Sequence, residues 1–490
     1  MWEKLPALIG IGGIIAIVWL FSENKSAINK KLLFWGLVLQ FLLASVILKG
    51  YKISHFLTAL FPFSHIISGI LVLLILLLFW FYPRQTRLKA VFPPKAFYLS
   101  FGILLAFLLL QGNLVEWFFN QARQGVAKII LFTEEGSKFV FGSLGQSQGP
   151  AGMVFALQVL PTIIFVASIF ACLYYLGVMQ KIVAFFAKIM TNFLGASGAE
   201  STSVAASLFM GQTEAPLSIR PYLPNLTLSE LMTVMTAGFA HVSAGIMPAY
   251  VMVGNVDIKH LLTAVLMTAP GAILISKLLL PETKIPKTGK KVEVSIPVSD
   301  VNVIDALARG ASEGGLLALN VTAMLIAFIA VIALLNGGMG WLQQQIVGLA
   351  KAFQGLPAIG SGLQFLALIW PGKLEQLFGN LFAPLAWAMG VPVKDMVAVG
   401  SLMGTRMVLN EFVAFILLAP MKATLEPRSF IIATYALCGF ANLSSIAIQI
   451  GGIGALAPNR RHDLAKLGFK AMLAGTLANF LSAAIVSLII

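Results

Sequence analysis

Two glutamates stand where ionisable groups are expensive. Glu214 lies in GQTEAP, and Glu411 lies in LNEFVAF with apolar residues on both sides, in a stretch long enough to cross a bilayer. A charge at bilayer depth costs about 2.5–3.5 kcal/mol on insertion scales, so something must compensate it. A nearby base or the headgroup zone would do so structurally, but the setting of Glu411 favours a functional partner. Near the acids are amides and hydroxyls: Gln212, Thr213, Asn410, Asn442, Ser444 and Ser445. They form no nucleophile–base–orienter set, so hydrolysis is not indicated. Carboxylates with amides suit a ligand rich in hydroxyls and ring nitrogens. Ser and Asn in membrane helices also serve as interhelical hydrogen-bonding groups, so each alone says little.

His241, in TAGFAHVSAGIM, is the only group between Glu230 and Asp257 that titrates near neutrality. Its imidazole can carry a proton through a cycle, or stay neutral and donate to a neighbouring carbonyl; both readings stand. Arg406, five residues before Glu411, is either an ion-pair partner or a cation reaching for the interface. Cys172 and Cys438 sit in apolar runs without CxxC spacing, which marks buried thiols rather than a disulfide or zinc site. There is no GxxxxGK[ST] loop, so an ATP-driven pump in one chain is not supported.

The elements that position these groups must be membrane helices. With 59% hydrophobic and 11% charged residues and a mean hydropathy of +0.91, the chain is too apolar for a water-facing surface. The net charge of +14 then points to loops facing anionic lipid rather than to nucleic acid. Apolar runs predict spans at 5–21, 32–48, 66–82, 97–119, 153–179, 231–256, 260–280, 316–336, 396–419 and 471–490. The basic loops at 22–31, 83–96 and 282–300 are expected on the cytoplasmic side. Residues 121–148, with Ile129, Ile130, Phe132, Phe139 and Phe141, are too polar to span and read as an interfacial amphipathic helix. Two stretches are interrupted, 181–224 and 429–459, and both are expected to be re-entrant hairpins. Lipid cannot bond an exposed amide, so broken backbone at membrane depth survives only inside protein or beside a wet cavity. Interrupted segments in both halves of a transporter point to its binding site.

Three strings, GQTEAPLSIRPYL, GTRMVLNEFVAF and YALCGFANLSSIAIQIGGIGALAP, resemble the concentrative nucleoside transporter family, and the likeness runs from about Gln148 to the end. It implies an all-α polytopic membrane protein, an inverted-repeat transporter core with two re-entrant hairpins and an interfacial amphipathic helix. The divisions expected are 1–96 (accessory helices), 97–180 (scaffold and interfacial helix), 181–281 (first hairpin and following helices), 282–395 (cytoplasmic loop and scaffold), and 396–490. The last would hold an unwound helix with NEFVAF, the second hairpin and the last helix. The likeness further implies a homotrimer in a plasma or bacterial inner membrane, working by elevator-type movement without covalent chemistry or a cofactor. By the same likeness Gln212, Thr213 and Glu214 would face the nucleobase, Glu411, Asn442 and Ser445 the ribose hydroxyls, and Phe440 would add apolar contact. The expected ligand is a nucleoside such as uridine or adenosine.

The chain departs from that pattern at the cation site. Sodium-coupled members resemble one another in an asparagine four residues before the glycine of GQTE and a small hydroxyl residue where the next helix unwinds. Here Ser207 and His241 stand there, leaving the carbonyls of Met210 and Val242. A hard cation prefers several oxygen ligands, and imidazole nitrogen suits sodium poorly. The expectation is therefore nucleoside import coupled to H+ rather than Na+. The alternatives are a sodium-coupled symporter, a nucleobase carrier or, from another class, a membrane hydrolase or passive channel. Replacing Glu411 by glutamine keeps its shape but removes charge and one acceptor, so uridine affinity should fall by about tenfold or more while insertion is unchanged. Heat stabilisation of the detergent-solubilised protein by uridine reads this; unchanged affinity removes Glu411 from the site.

Overall fold

The structure, a computed structural model, describes residues 4–60, 70, 114–146, 149, 152, 154–289, 300–354 and 356–490. The expected span at 66–82 apart from Ile70, most of the one at 97–119, and the loop at 83–96 lie outside these residues. Regular structure among the described residues is helical throughout. The helices are α1 (Leu5–Leu20), α2 (Lys30–Leu60), α3 (Leu114–Phe141), α4 (Leu160–Tyr175), α5 (Val178–Leu194), α6 (Gly198–Ser207), α7 (Leu228–Ala240), α8 (Met247–Gly254) and α9 (Ile258–Leu279). There follow α10 (Val303–Ala352), α11 (Pro357–Ile369), α12 (Leu374–Ala388), α13 (Met396–Val408), α14 (Glu411–Met421), α15 (Pro427–Leu437), α16 (Leu443–Leu456) and α17 (Arg461–Ile489).

Long apolar helices at Lys30–Gly50, Phe155–Tyr175, Ile258–Leu279, Val303–Ala352 and Pro458–Ile489 make this an integral, multi-pass membrane protein. α3 turns Phe132 and Phe139 outward, the latter 90% exposed, as an apolar face for lipid. α10 packs on α4 through Ala306, Gly310, Gly314 and Ala318, small residues four apart. A Cβ at Gly310 would lie 2.6 Å from that of Ala171, so glycine permits the close approach.

One order of elements is used twice: α5, α6, a 3-10 turn, α7, α8 and α9, then α12, α13, α14, α15, α16 and α17. Polar caps start the short pieces. Ser197 with Glu200 and Thr227 with Glu230 form capping boxes at α6 and α7, while Asn410 accepts from the Val413 amide and Asn442 from the Ser445 amide. Beneath α6, α7 and α9 the Glu200, Glu230 and Lys277 side chains are buried: Lys277 pairs with Glu200 and donates to Ser229 at 2.9 Å, and Ser197 donates to Glu230 at 2.7 Å.

Three expectations need correction. The span expected at 231–256 is broken, because the chain leaves the helix at His241 in extended conformation and restarts before Pro248, a residue fitted to a helix's first turn. The continuous span that hydropathy gives at 396–419 is broken by Asn410, whose side chain competes for backbone amides, within the NEFVAF string where the family likeness implies unwinding. The stretch 429–459 does not fold back on itself. α15 and α16 flank Cys438–Asn442 and both lie along α17, whereas α13 and α14 pack against each other. The interrupted element that packs on itself in this half therefore carries Glu411. Hydropathy alone cannot separate these cases, since both read as apolar runs with a polar gap.

Breaking α15 beside α17 leaves carbonyls with no helical partner, and Arg406 supplies the donors. It is completely buried, and donates to the carbonyls of Ala436 (2.5 Å) and Gly439 (3.2 Å) and to Asn479 Oδ1 (2.6 Å). Asn479, on α17, passes the support on by donating to the carbonyls of Ala240 (2.8 Å) and Cys438 (2.9 Å). Arg406 thus neither snorkels nor pairs with an acid in the described contacts; it holds helix ends. Each buried group left unpaired costs roughly 1–3 kcal/mol. Arg406→Met should therefore lower the thermal unfolding midpoint in detergent far more than Arg123→Met, which removes an exposed pair with Asp257; equal midpoints would refute this role.

Candidate functional site

The helix starts at Glu411 and Leu443 bring two N-terminal ends together. Asn442 accepts from the Ser445 amide (2.9 Å) and the Ser444 hydroxyl (2.7 Å), and its own amide donates to Glu411 Oε2 at 3.3 Å. Glu411 Oε1 accepts from the Tyr250 hydroxyl at 2.8 Å. A carboxylate in the first turn of a helix is favoured by the aligned peptide dipoles, and here two side-chain donors direct it, with no ion pair to Glu411 among the described contacts. Phe412 and Phe415 pack their rings on Tyr250, closing one side with apolar surface.

The tip between α6 and the 3-10 turn Ala215–Ile219 meets this group. Gln212 Nε2 donates to Ser445 Oγ at 3.0 Å, and Gln212 Oε1 accepts from Gln449 Nε2 at 3.3 Å. Thr213 lies against Gly452, where a Cβ would come within 2.4 Å of its methyl. Of the residues expected to bind ligand, Gln212, Ser445, Asn442 and Glu411 therefore form one connected set. Thr213 sits beside them, and Phe440 is partly buried against the core. Glu214 faces elsewhere. It accepts from the Gly211 amide at 3.1 Å and is turned into a cavity of about 370 Å³ with Tyr174, Ser243, Arg309 and Glu313 on its walls. That cavity is lined by none of Glu411, Asn442, Ser445 and Gln212, so the two acids face different spaces.

The four residues expected at the cation site, Ser207, Met210, His241 and Val242, are all buried. The Ser207 hydroxyl donates to the Ser203 carbonyl at 2.9 Å. His241 Nδ1 lies 2.8 Å from the Ala237 carbonyl, which only accepts, so that nitrogen carries the proton. Both side chains are thus turned back onto their own helices. The Ala244 amide donates to the Phe209 carbonyl at 3.3 Å, tying the tip to the gap between α7 and α8. Among the described residues no group of His, Cys, Asp and Glu could hold a metal ion.

Sequence reasoning passed over Tyr250, Gln449, Asn479 and Glu200. The signal was present for each, because a phenol, an amide or a carboxylate inside an apolar run must find a partner. What a sequence lacks is the partner's identity, which comes from helices more than a hundred residues away for the first three.

Family models match most of the chain. Residues 9–64 and 67–144 match the Na+ dependent nucleoside transporter N-terminus, 156–256 match nucleoside recognition (the gate), and 260–487 match the Na+ dependent nucleoside transporter C-terminus. The chain is 42% identical over 371 residues to an uncharacterized transporter of Haemophilus influenzae, covering 74% of this chain and 84% of that protein. It is 34% identical to nucleoside permease NupC of Helicobacter pylori over the whole of this chain and 99% of that one. The solved structure of CNTnw in an inward-facing substrate-bound state matches with a TM-score of 0.75 at 34% identity, over 99% of this chain and 98% of that one.

Proposed function

The chain belongs to the concentrative nucleoside transporter family, which transports and does not catalyse, and from that premise we propose that it imports nucleosides against their gradient by coupling them to a cation. The observation carrying this reading is the connected set Gln212, Ser445, Asn442, Glu411 and Tyr250, in which amide, hydroxyl and carboxylate meet at two helix starts inside the membrane region. Glu411 and Asn442 offer acceptors and a donor to vicinal ribose hydroxyls. Gln212 and Thr213 offer both kinds of group to a base edge, and Phe440 gives it apolar surface. Glu214, facing the cavity walled by Tyr174 and Arg309, meets the ligand on its way in or out.

In the proposed cycle, α4 and α10 are fixed scaffold, and within the twice-used order the parts from α6 to α9 and from α13 to α17 move as an elevator within a homotrimer. The buried Glu200–Lys277 pair and the Arg406–Asn479 bonds would make that moving group rigid. For the coupling ion, H+ is favoured over Na+. With the Ser207 hydroxyl and the His241 ring turned to carbonyls of their own helices, the expected cation-site residues are left with the backbone carbonyls of Met210 and Val242, few for a hard cation. His241, neutral with its proton on Nδ1, keeps a nitrogen able to accept a second proton. A sodium-coupled cycle is the second reading, because the matching family models are described as Na+ dependent.

Uridine uptake into proteoliposomes distinguishes them. An inward proton gradient without sodium should drive accumulation above equilibrium; accumulation on a sodium gradient alone would overturn proton coupling, and uptake that never exceeds equilibrium under either gradient would overturn active transport.

A further inference from the structure

We propose that Gln449 sets the base selectivity of this site without touching the ligand, by fixing which way the Gln212 amide points. The inference rests on the nucleoside reading above. Gln449 lies one turn beyond Ser445 on α16 and is completely buried. Its Nε2 donates to the Met235 carbonyl at 3.2 Å and to Gln212 Oε1 at 3.3 Å.

The orientations follow from one group that has no choice. A backbone carbonyl only accepts, so the end of Gln449 facing Met235 must be its NH2. That NH2 also reaches Gln212, so the atom it meets there must be oxygen. The Gln212 NH2 then points to Ser445 Oγ, 3.0 Å away. Oxygen and nitrogen of a free amide are nearly the same size, and a glutamine held by hydroxyls alone could turn over, because a hydroxyl both donates and accepts. Gln449 removes that freedom.

Two further features fit a positioning role. Gly238 makes the room: a Cβ there would lie 2.7 Å from Gln449 Nε2 and 3.2 Å from Gln212 Cβ. Gln449 Oε1 is buried without a partner, a costly arrangement for an amide used only as packing. An apolar side chain of similar length would avoid that cost and would lose only the orientation of Gln212.

The consequence concerns bases that differ by exchanging donor and acceptor. Uracil offers an acceptor at O4, whereas cytosine offers a donor at N4, as the corresponding edges of thymine and cytosine do in DNA. An amide held one way tells them apart; one free to turn over does not. The test uses full-length protein in proteoliposomes and two ratios of kcat/KM, uridine to cytidine and uridine to 2′-deoxyuridine. Gln449→Met should move the first ratio toward one by roughly three- to tenfold, the worth of one hydrogen bond, and leave the second, which reports the sugar, unchanged. Gly238→Ala, which displaces Gln449 by another route, should move the first ratio in the same direction. An unmoved base ratio in Gln449→Met, both ratios moving together, or a wild-type protein that does not discriminate the bases would overturn the role of Gln449. Absence of saturable uptake of either nucleoside by the wild type would instead overturn the transport reading.

Discussion

Hydrogen-bonding groups of a broken helix have no water to turn to inside a bilayer, and the rest of this structure follows from how they are satisfied. Carbonyl ends and amide ends are treated differently. The carbonyls left at the end of α15 and at Ala240 are held by Arg406 and Asn479, whose side chains are fully buried. The amides at the starts of α14 and α16 are capped by Asn410 and Asn442. Asn442 also reaches Glu411, and the α16 start meets the Gln212 tip, so this end remains in contact with groups a ligand can use.

That asymmetry gives the repeated order of elements its use. α17 runs past α7, α9, α15 and α16, so the two breaks are braced against one long helix. Asn479 bonds both Ala240 in the first half and Cys438 in the second, which couples the breaks to each other. The polar network of Glu200, Glu230 and Lys277 does the same at the base of the first half, where α6, α7 and α9 meet. Breaking either network strands charge or amide in a low-dielectric interior, which favours movement as a body over piecewise deformation.

Much of this was legible in the sequence, and the failures share a cause. Glu411, Asn442, Ser445 and Gln212 stood out as polar groups in apolar runs, and the structure joins them. The amphipathic helix around Phe132 and Phe139 was visible as a pattern too polar to span. The breaks at His241 and Asn410 are implied by the family likeness but not by hydropathy, which averages over a window that a few polar residues barely lower. Residues 429–459 were taken for a hairpin because a gap in an apolar run reads the same whether the pieces pack on each other or on α17. Arg406 reads as an ion-pair partner or a cation reaching for the interface, but its partners are two backbone carbonyls, which carry no sequence signature, and the Asn479 amide oxygen. Glu214 matched the family string, yet where its side chain faces depends on the 3-10 turn that follows it.

The central claim is that a nucleoside is held where the Gln212 tip meets the start of α16. The structure of the protein in lipid nanodiscs with uridine bound tests it most directly. The account predicts ligand density that separates Gln212 from Ser445, with the ribose on Glu411 and Asn442 and the Arg406–Asn479 bonds unchanged. Uridine found elsewhere, with the Gln212–Ser445 hydrogen bond intact, would contradict it.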